Sequence, residues 1–153
     1  MKARLLLHDL PKAARQPVLR QSSALCFRIK RGRPKILLIT TRKSRRWIIP
    51  KGWLIPGLSP QETALQEAWE EAGVSGRING ARLGQFLHHK HHSNRPPSLC
   101  LVDVFPVHVS TVSQEYPEKT ERRRKWFSPK KAALKVDSHE LAELLRDFKP
   151  YSH

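Results

Sequence analysis

Acidic residues are the scarce charge in this 153-residue chain: 13 Asp and Glu stand against 29 Lys and Arg, a formal net charge of +16. So large an excess attracts polyanions, among them nucleic acid, nucleotides, inositol phosphates and an acidic membrane surface, without choosing between them. Cysteine is scarcer still. Cys26 and Cys100 lie in apolar runs and lack zinc-binding spacing, so they read as small core residues in a reducing compartment rather than as a disulfide. The cytoplasm is the expected location. No apolar run approaches the ~20 residues that cross a bilayer. The basic start also lacks the long apolar segment and small-residue cleavage site of a secretory leader, so no membrane partner is expected. There is no GxxxxGK phosphate loop, no dinucleotide fingerprint, no visible Ser-His-Asp arrangement and no internal repeat. Hydrophobic content of 39% with four Trp argues for one globular domain rather than disorder.

Four of the 13 acidic residues fall in one stretch, GWLIPGLSPQETALQEAWEEAGV from Gly52 to Val74. Glu67, Glu70 and Glu71 fall at i, i+3 and i+4, so a helix crowds their carboxylates onto one face. Like charges at that spacing cost a helix about 0.2–0.5 kcal/mol per pair, and no Lys or Arg stands between Ser59 and Ala72 to offset them. The unpaired patch implies a cation from solution. Oxygen-only donors favour a hard ion, Mg²⁺ or Mn²⁺, over zinc. The helix is well bounded. Ser59 caps it, Pro60 suits its first position, Glu62 closes a capping box, and Gly73 suits a left-handed C-cap. Ala64, Leu65, Ala68 and Ala72 form its core-facing side.

Residues 1–20 read as a basic N-terminal arm and 21–150 as a single domain. Strands are expected over Ser22–Arg31, Lys35–Thr41, Trp47–Ile49, one or two between Arg77 and Lys90, Leu99–Val109 and Lys125–Phe127. Pro50–Gly57 reads as a loop into the acidic helix. Ser128-Pro129 starts a further helix, and Asp137 is expected to cap a last one carrying Leu141, Leu144, Leu145 and Phe148. Strands, one central helix, more strands and terminal helices make an α+β layout.

With both glycines at their spacing, the acidic stretch resembles the signature of the Nudix hydrolases. Gly52, Glu67, Ala68, Glu70, Glu71, Gly73 and Val74 match it, whereas Leu58 and Gln66 stand where a Glu and an Arg are expected. CFRIKRGRPKILLITTRKSRRWIIPKGW before the stretch and RRRKWFSPKKAALKV after it are similar to the diphosphoinositol polyphosphate and diadenosine polyphosphate branch of that family. The resemblance implies a mixed β-sheet sandwiched between α-helices. It also implies Mg²⁺-dependent hydrolysis of a phosphoanhydride bond in a polyphosphorylated substrate, a diphosphoinositol polyphosphate or a dinucleoside polyphosphate.

Phosphoryl transfer needs metal ions, a placed water and positive charge around the phosphate oxygens. Glu67, Glu70 and Glu71 are the catalytic and metal-holding candidates. A box Glu, or an acid outside it among Asp103, Glu115, Glu118 and Glu121, would activate the water. Arg42 matches a phosphate-contacting Arg of the polyphosphate branch, and Lys43, Arg45, Arg46 and Lys51 surround it in sequence. Arg122, Arg123 and Arg124 alternate along a strand, so only some of them can face one site; Arg124 is taken as the substrate-binding one. The His88–His92 cluster, HHKHH, reads as a polar segment near the substrate mouth with Lys90 as its phosphate contact, since no further ligands complete a zinc site. Trp53 suits either packing or stacking on a base. Leu58 and Gln66 motivate a second reading, a catalytically weak module on the same scaffold that binds nucleotide or RNA. RNA 5′-end pyrophosphohydrolysis is a third.

Overall fold

The computed structural model describes residues 18–78, 80–90, 93–94 and 96–150. Its elements, in chain order, are β1 (Leu19–Lys30), β2 (Arg33–Thr40), β3 (Trp47–Ile48), β4 (Lys51–Trp53), α1 (Pro60–Ala72), β5 (Val74–Ile78), β6 (Gly84–Lys90), β7 (Ser98–Val112), β8 (Arg124–Phe127), α2 (Pro129–Lys135) and α3 (His139–Arg146). Most of the basic arm lies outside the described residues, and β1 takes in its last two, Leu19 and Arg20.

All eight strands join one sheet, with the path β3-β2-β1-β7-β5; β4 pairs with β1, β6 with β7 and β8 with β2. The sheet is mixed: β1 and β7 run parallel from Leu19 beside Cys100 to Phe27 beside His108, and the other pairings are antiparallel. Midway along, β1 exchanges its partner on one edge, from β4 at Gln21–Ser23 to β2 at Phe27–Lys30. The short chain through β3 therefore brings the end of β2 and the start of β4 side by side. Lys51–Trp53, expected as loop, is strand because its backbone completes β1's free edge.

Both faces of the sheet are covered, which is why its central strands read as continuous apolar runs. Residues of one parity (Ala24, Cys26, Leu37, Ile39, Phe105 and Val107) pack on Ala64, Ala68 and Ala72 of α1. Residues of the other parity (Leu25, Phe27, Ile36, Leu38, Val102 and Val104) pack on Ala132, Leu141 and Leu145 of α2 and α3. The small alanine side of α1 lets that helix lie close to the sheet. Cys26 and Cys100 are free, buried thiols in different clusters. The last helix starts one residue later than expected: Ser138 is its N-cap, accepting a hydrogen bond from the Leu141 amide. Asp137 instead accepts from Arg46 Nη1 at 2.7 Å. Ser is as good a cap as Asp, and here Ser138 caps the helix while Asp137 pairs with Arg46.

Candidate active site

α1 begins and ends where its sequence directs. Ser59 and Glu62 form a reciprocal capping box, and Gly73 closes the helix at φ +68°. The helix carries Glu67, Glu70 and Glu71 to a cleft of about 480 Å³, whose wall also includes Gln21, Arg42, Lys51, Gly52, Trp53 and Lys90. Glu118 and Arg122 complete the charged lining, making four carboxylates and four cations in all. Gly52 of β4 lies against the Glu67 carboxylate so closely that a Cβ at position 52 would run into it.

Each acid is held differently. Glu71 is buried; its Oε1 accepts from the Lys51 amide at 3.1 Å and its Oε2 from Arg122 Nη2 at 3.3 Å. Arg122 also donates to Glu118 Oε1 at 2.9 Å and to the Thr40 carbonyl at 3.2 Å, so one guanidinium ties β2, α1 and the loop before β8 together. Glu70 accepts from Gln66 Nε2 at 2.9 Å, so the neutral amide still orients a box carboxylate without adding charge. The Glu70 carbonyl accepts from the Glu118 amide at 2.9 Å, which docks that loop on the helix. Glu67 has no cationic partner among the described residues. Burial, then the charges of Glu71 and Glu70 and a hydrogen bond with Glu71, push its carboxyl up to about 8. Burial likewise pushes Glu71 up to about 7 against the opposing pull of Arg122. Both acids are thus raised toward neutral pH, chiefly by burial.

Opposite the acids, Lys51 Nζ donates to Gln21 Oε1 at 3.2 Å, and burial holds its ammonium below the usual lysine range despite Glu71. Lys90 Nζ stands 5.3 Å from the centre of the Trp53 ring, a cation–π contact. Arg42 lies at the rim, exposed and paired to Glu121 at 3.1 Å. The other four cations named from sequence lie elsewhere. Lys43 is exposed on the loop after β2. Arg45 reaches the Glu121 carbonyl at 3.3 Å. Arg46 is spent on Asp137, beside a second pocket that Trp47, His88 and His89 also line. Arg124 clamps the Ala72 and Ser113 carbonyls at 2.8 Å each and lies over Tyr116, so it fastens the end of α1. Of the arginine triplet it is Arg122 that faces the cleft. The two-residue period of a strand limited how many of the three could face one site, but nothing in the sequence said which. Glu118 stood without distinction among four acids outside the box, of which Asp103 proves to be buried in β7 and paired to Arg20 and Arg82. His91 and His92 lie outside the described residues.

As the side chains stand, no group of three His, Cys, Asp or Glu among the described residues is arranged to hold a metal. The donor chemistry nonetheless fits one. Burial first, and neighbouring carboxylates after it, raise both Glu67 and Glu71, and a hard divalent cation would compete with the protons they take up. The donors are all oxygens, with Glu70 and Glu118 on the same wall.

The NUDIX domain model matches residues 19–148. The chain belongs to the Nudix family. It is 29% identical over 123 residues to a Mus musculus protein named diphosphoinositol polyphosphate phosphohydrolase 3-alpha, a match covering 79% of this chain and 71% of that one. Among solved structures, a C. elegans Ap4A hydrolase superposes with a TM-score of 0.63 at 19% identity, over 90% of this chain and 100% of that chain. A NUDIX hydrolase from Nitrosomonas europaea gives 0.65 at 20% identity, over 86% and 88%. These structural likenesses carry the fold, the mixed sheet between helices expected from the Nudix box. Domain and relatives together make the chain a Nudix phosphohydrolase. Among the described residues no helix is long and apolar enough to cross a membrane.

Proposed function

We propose that this Nudix protein hydrolyses a phosphoanhydride bond in a diphosphoinositol polyphosphate or a dinucleoside polyphosphate with the help of Mg²⁺ or Mn²⁺. One observation carries the reading: clustered carboxylates and cations suited to phosphate line the same cleft. Glu67 and Glu71, with Glu70 beside them, would hold the metal. When bound, it supplies charge neutralisation and a more acidic water. Arg42, Lys51 and Lys90 hold the phosphates. Lys51 is the best placed of these, because its amine is buried and lies near Glu71. Glu118, pinned by Arg122 at 2.9 Å, is a carboxylate from outside the box that would accept a proton from an attacking water. Residues 21–150 act as one catalytic domain, and two free buried thiols accord with the cytoplasm.

The test is turnover by the full chain with Mg²⁺ on each of the two substrate classes, followed by product analysis. Glu67→Gln or Glu71→Gln is expected to lower turnover by about a hundredfold or more while circular dichroism stays unchanged. Absence of hydrolysis on both classes, with metal present, refutes the reading. The Gln66–Glu70 bond motivates the second reading, since the amide orients Glu70 without the charge of an arginine. In that reading the cleft binds nucleotide or RNA and turns it over poorly. Tight metal-dependent binding without product formation is its signature.

A further inference from the structure

The cleft does not account for the chain's positive charge. β2 starts at the β1–β2 turn and ends at Thr40, beside the cleft. Its eight residues put the turn about 23 Å from the site at 3.3 Å per residue. That is more than two screening lengths at physiological salt, where the Debye length is about 8 Å. Yet cations collect at this far end. Lys30, Arg31, Arg33 and Lys35 sit on the turn and its flanks, and Lys35 precedes Ile36, which pairs with Phe127. Ser128 therefore follows beside Lys35, and Ser128 is the N-cap of α2, so Lys130 and Lys131 continue the same patch. None of these six residues is ion-paired among the described residues. No Asp or Glu occurs from Arg20 to Gln61 or from Arg122 to Val136.

α2 adds a second, independent feature. Ala132 and Ala133 turn inward to the core, which leaves Lys130, Lys131, Leu134 and Lys135 on the outward side. Leu134 is 85% exposed, far more than any other large hydrophobic residue described. Residues three and four apart share a helix face, so a bare leucine stands beside Lys130 and Lys131 on its face. Stacking on the bases of single-stranded nucleic acid asks for open aromatic rings. The rings nearby are taken: Trp126 is covered by Arg28 at 4.1 Å and packs toward α1, and Phe127 is buried beneath Lys125 and Lys135. An anionic bilayer surface asks for both features at once, clustered cations for the headgroups and an apolar side chain for the acyl boundary.

We propose that α2 and the β1–β2 turn form a peripheral docking face for an anionic membrane surface, remote from the cleft and independent of its chemistry. The absence of a spanning run, from which no membrane partner was expected, does not bear on a face that only rests on headgroups. Sedimentation of the full chain with phosphatidylcholine vesicles, with and without phosphatidylserine, tests it. Binding is expected only with phosphatidylserine and is expected to weaken as salt rises. Lys130→Glu with Lys131→Glu is expected to lower partition about 30-fold or more, each lysine near the surface being worth about a factor of five. Leu134→Ser is expected to lower it about fivefold through loss of inserted apolar area. All three positions are exposed, so unchanged melting curves certify that the variants fold. Equal partition onto neutral vesicles, or no partition onto anionic ones, overturns the proposal. Binding that Leu134→Ser leaves unchanged, and that poly-uridylate displaces, also overturns it and assigns the patch to nucleic acid.

Discussion

Arg122 is the side chain on which the site's charge balance turns, and Arg122→Met isolates it. The guanidinium is 10% exposed, between Glu71 at 9% and Glu118 at 18%. Methionine keeps much of the volume but removes the bonds to Glu71, Glu118 and the Thr40 carbonyl. At pH 6 Glu71 is mostly protonated even with arginine present, because burial pushes it up to about 7. There the substitution costs only the bonds to Glu118 and Thr40, about 1–2 kcal/mol. Above that value the wild-type carboxylate ionises against Arg122, whereas the variant's must keep its proton or stand charged and buried without a partner. A carboxyl raised in the folded state contributes stability that is lost as pH climbs from its ordinary value to its folded one. Removing Arg122 extends that window upward. The extra cost therefore grows by about 1.4 kcal/mol for each pH unit above 7.

Urea unfolding of metal-free protein at pH 6 and pH 8, wild type against variant, reads this directly. Glu71→Gln in the same background removes the charge and is expected to abolish the pH-dependent part. The double variant should thus be less unstable at pH 8 than the single effects sum to. An equal loss of stability at the two pH values refutes the reasoning, because Arg122 would then be a packing residue and not the counter-charge of Glu71.

Three further expectations follow from the same geometry. Gly52→Ala drives its new methyl into the flexible end of Glu67 rather than into backbone, so melting is expected to change little while turnover falls about a hundredfold; turnover left intact would mean Glu67 is not needed where it stands. Glu67→Gln is expected to stabilise the metal-free protein at pH 8 relative to pH 5, since the acid's raised value near 8 costs stability across that interval. The gain is about 2 kcal/mol after discounting a half-exposed group for solvent screening, and paired denaturation curves measure it. Arg124→Ala removes two charge-assisted bonds to backbone carbonyls and is expected to cost about 2 kcal/mol of stability with KM unchanged. A raised KM at full stability would return Arg124 to the substrate.

The parts of this molecule legible from sequence are those in which a residue's partners lie within its own element. α1 was bounded to the residue because Ser59 and Glu62 satisfy each other across one turn and Gly73 alone accepts φ +68° without strain. The crowding of Glu67, Glu70 and Glu71 is equally local, a matter of 3.6 residues per turn. Arg122 and Arg124 show where that logic stops. They are the same side chain two residues apart, so strand alternation puts them on one face of β8 and its lead-in. Their fates differ only because the loop after β7 folds back on α1, bringing the Glu118 amide to the Glu70 carbonyl at 2.9 Å and Ser113 to the helix end. Arg46 and Asp137, 91 residues apart, meet at 2.7 Å for a comparable reason: α2 returns along the sheet until Val136 bridges Trp47. Charge pairing across such returns depends on the tertiary path, and a run of arginines carries no mark of which member will be spent on structure. Of the seven cations expected to hold phosphate, Arg42, Lys51 and Lys90 line the cleft and the other four do not, while Arg122, the cation paired to Glu71, was not among the seven.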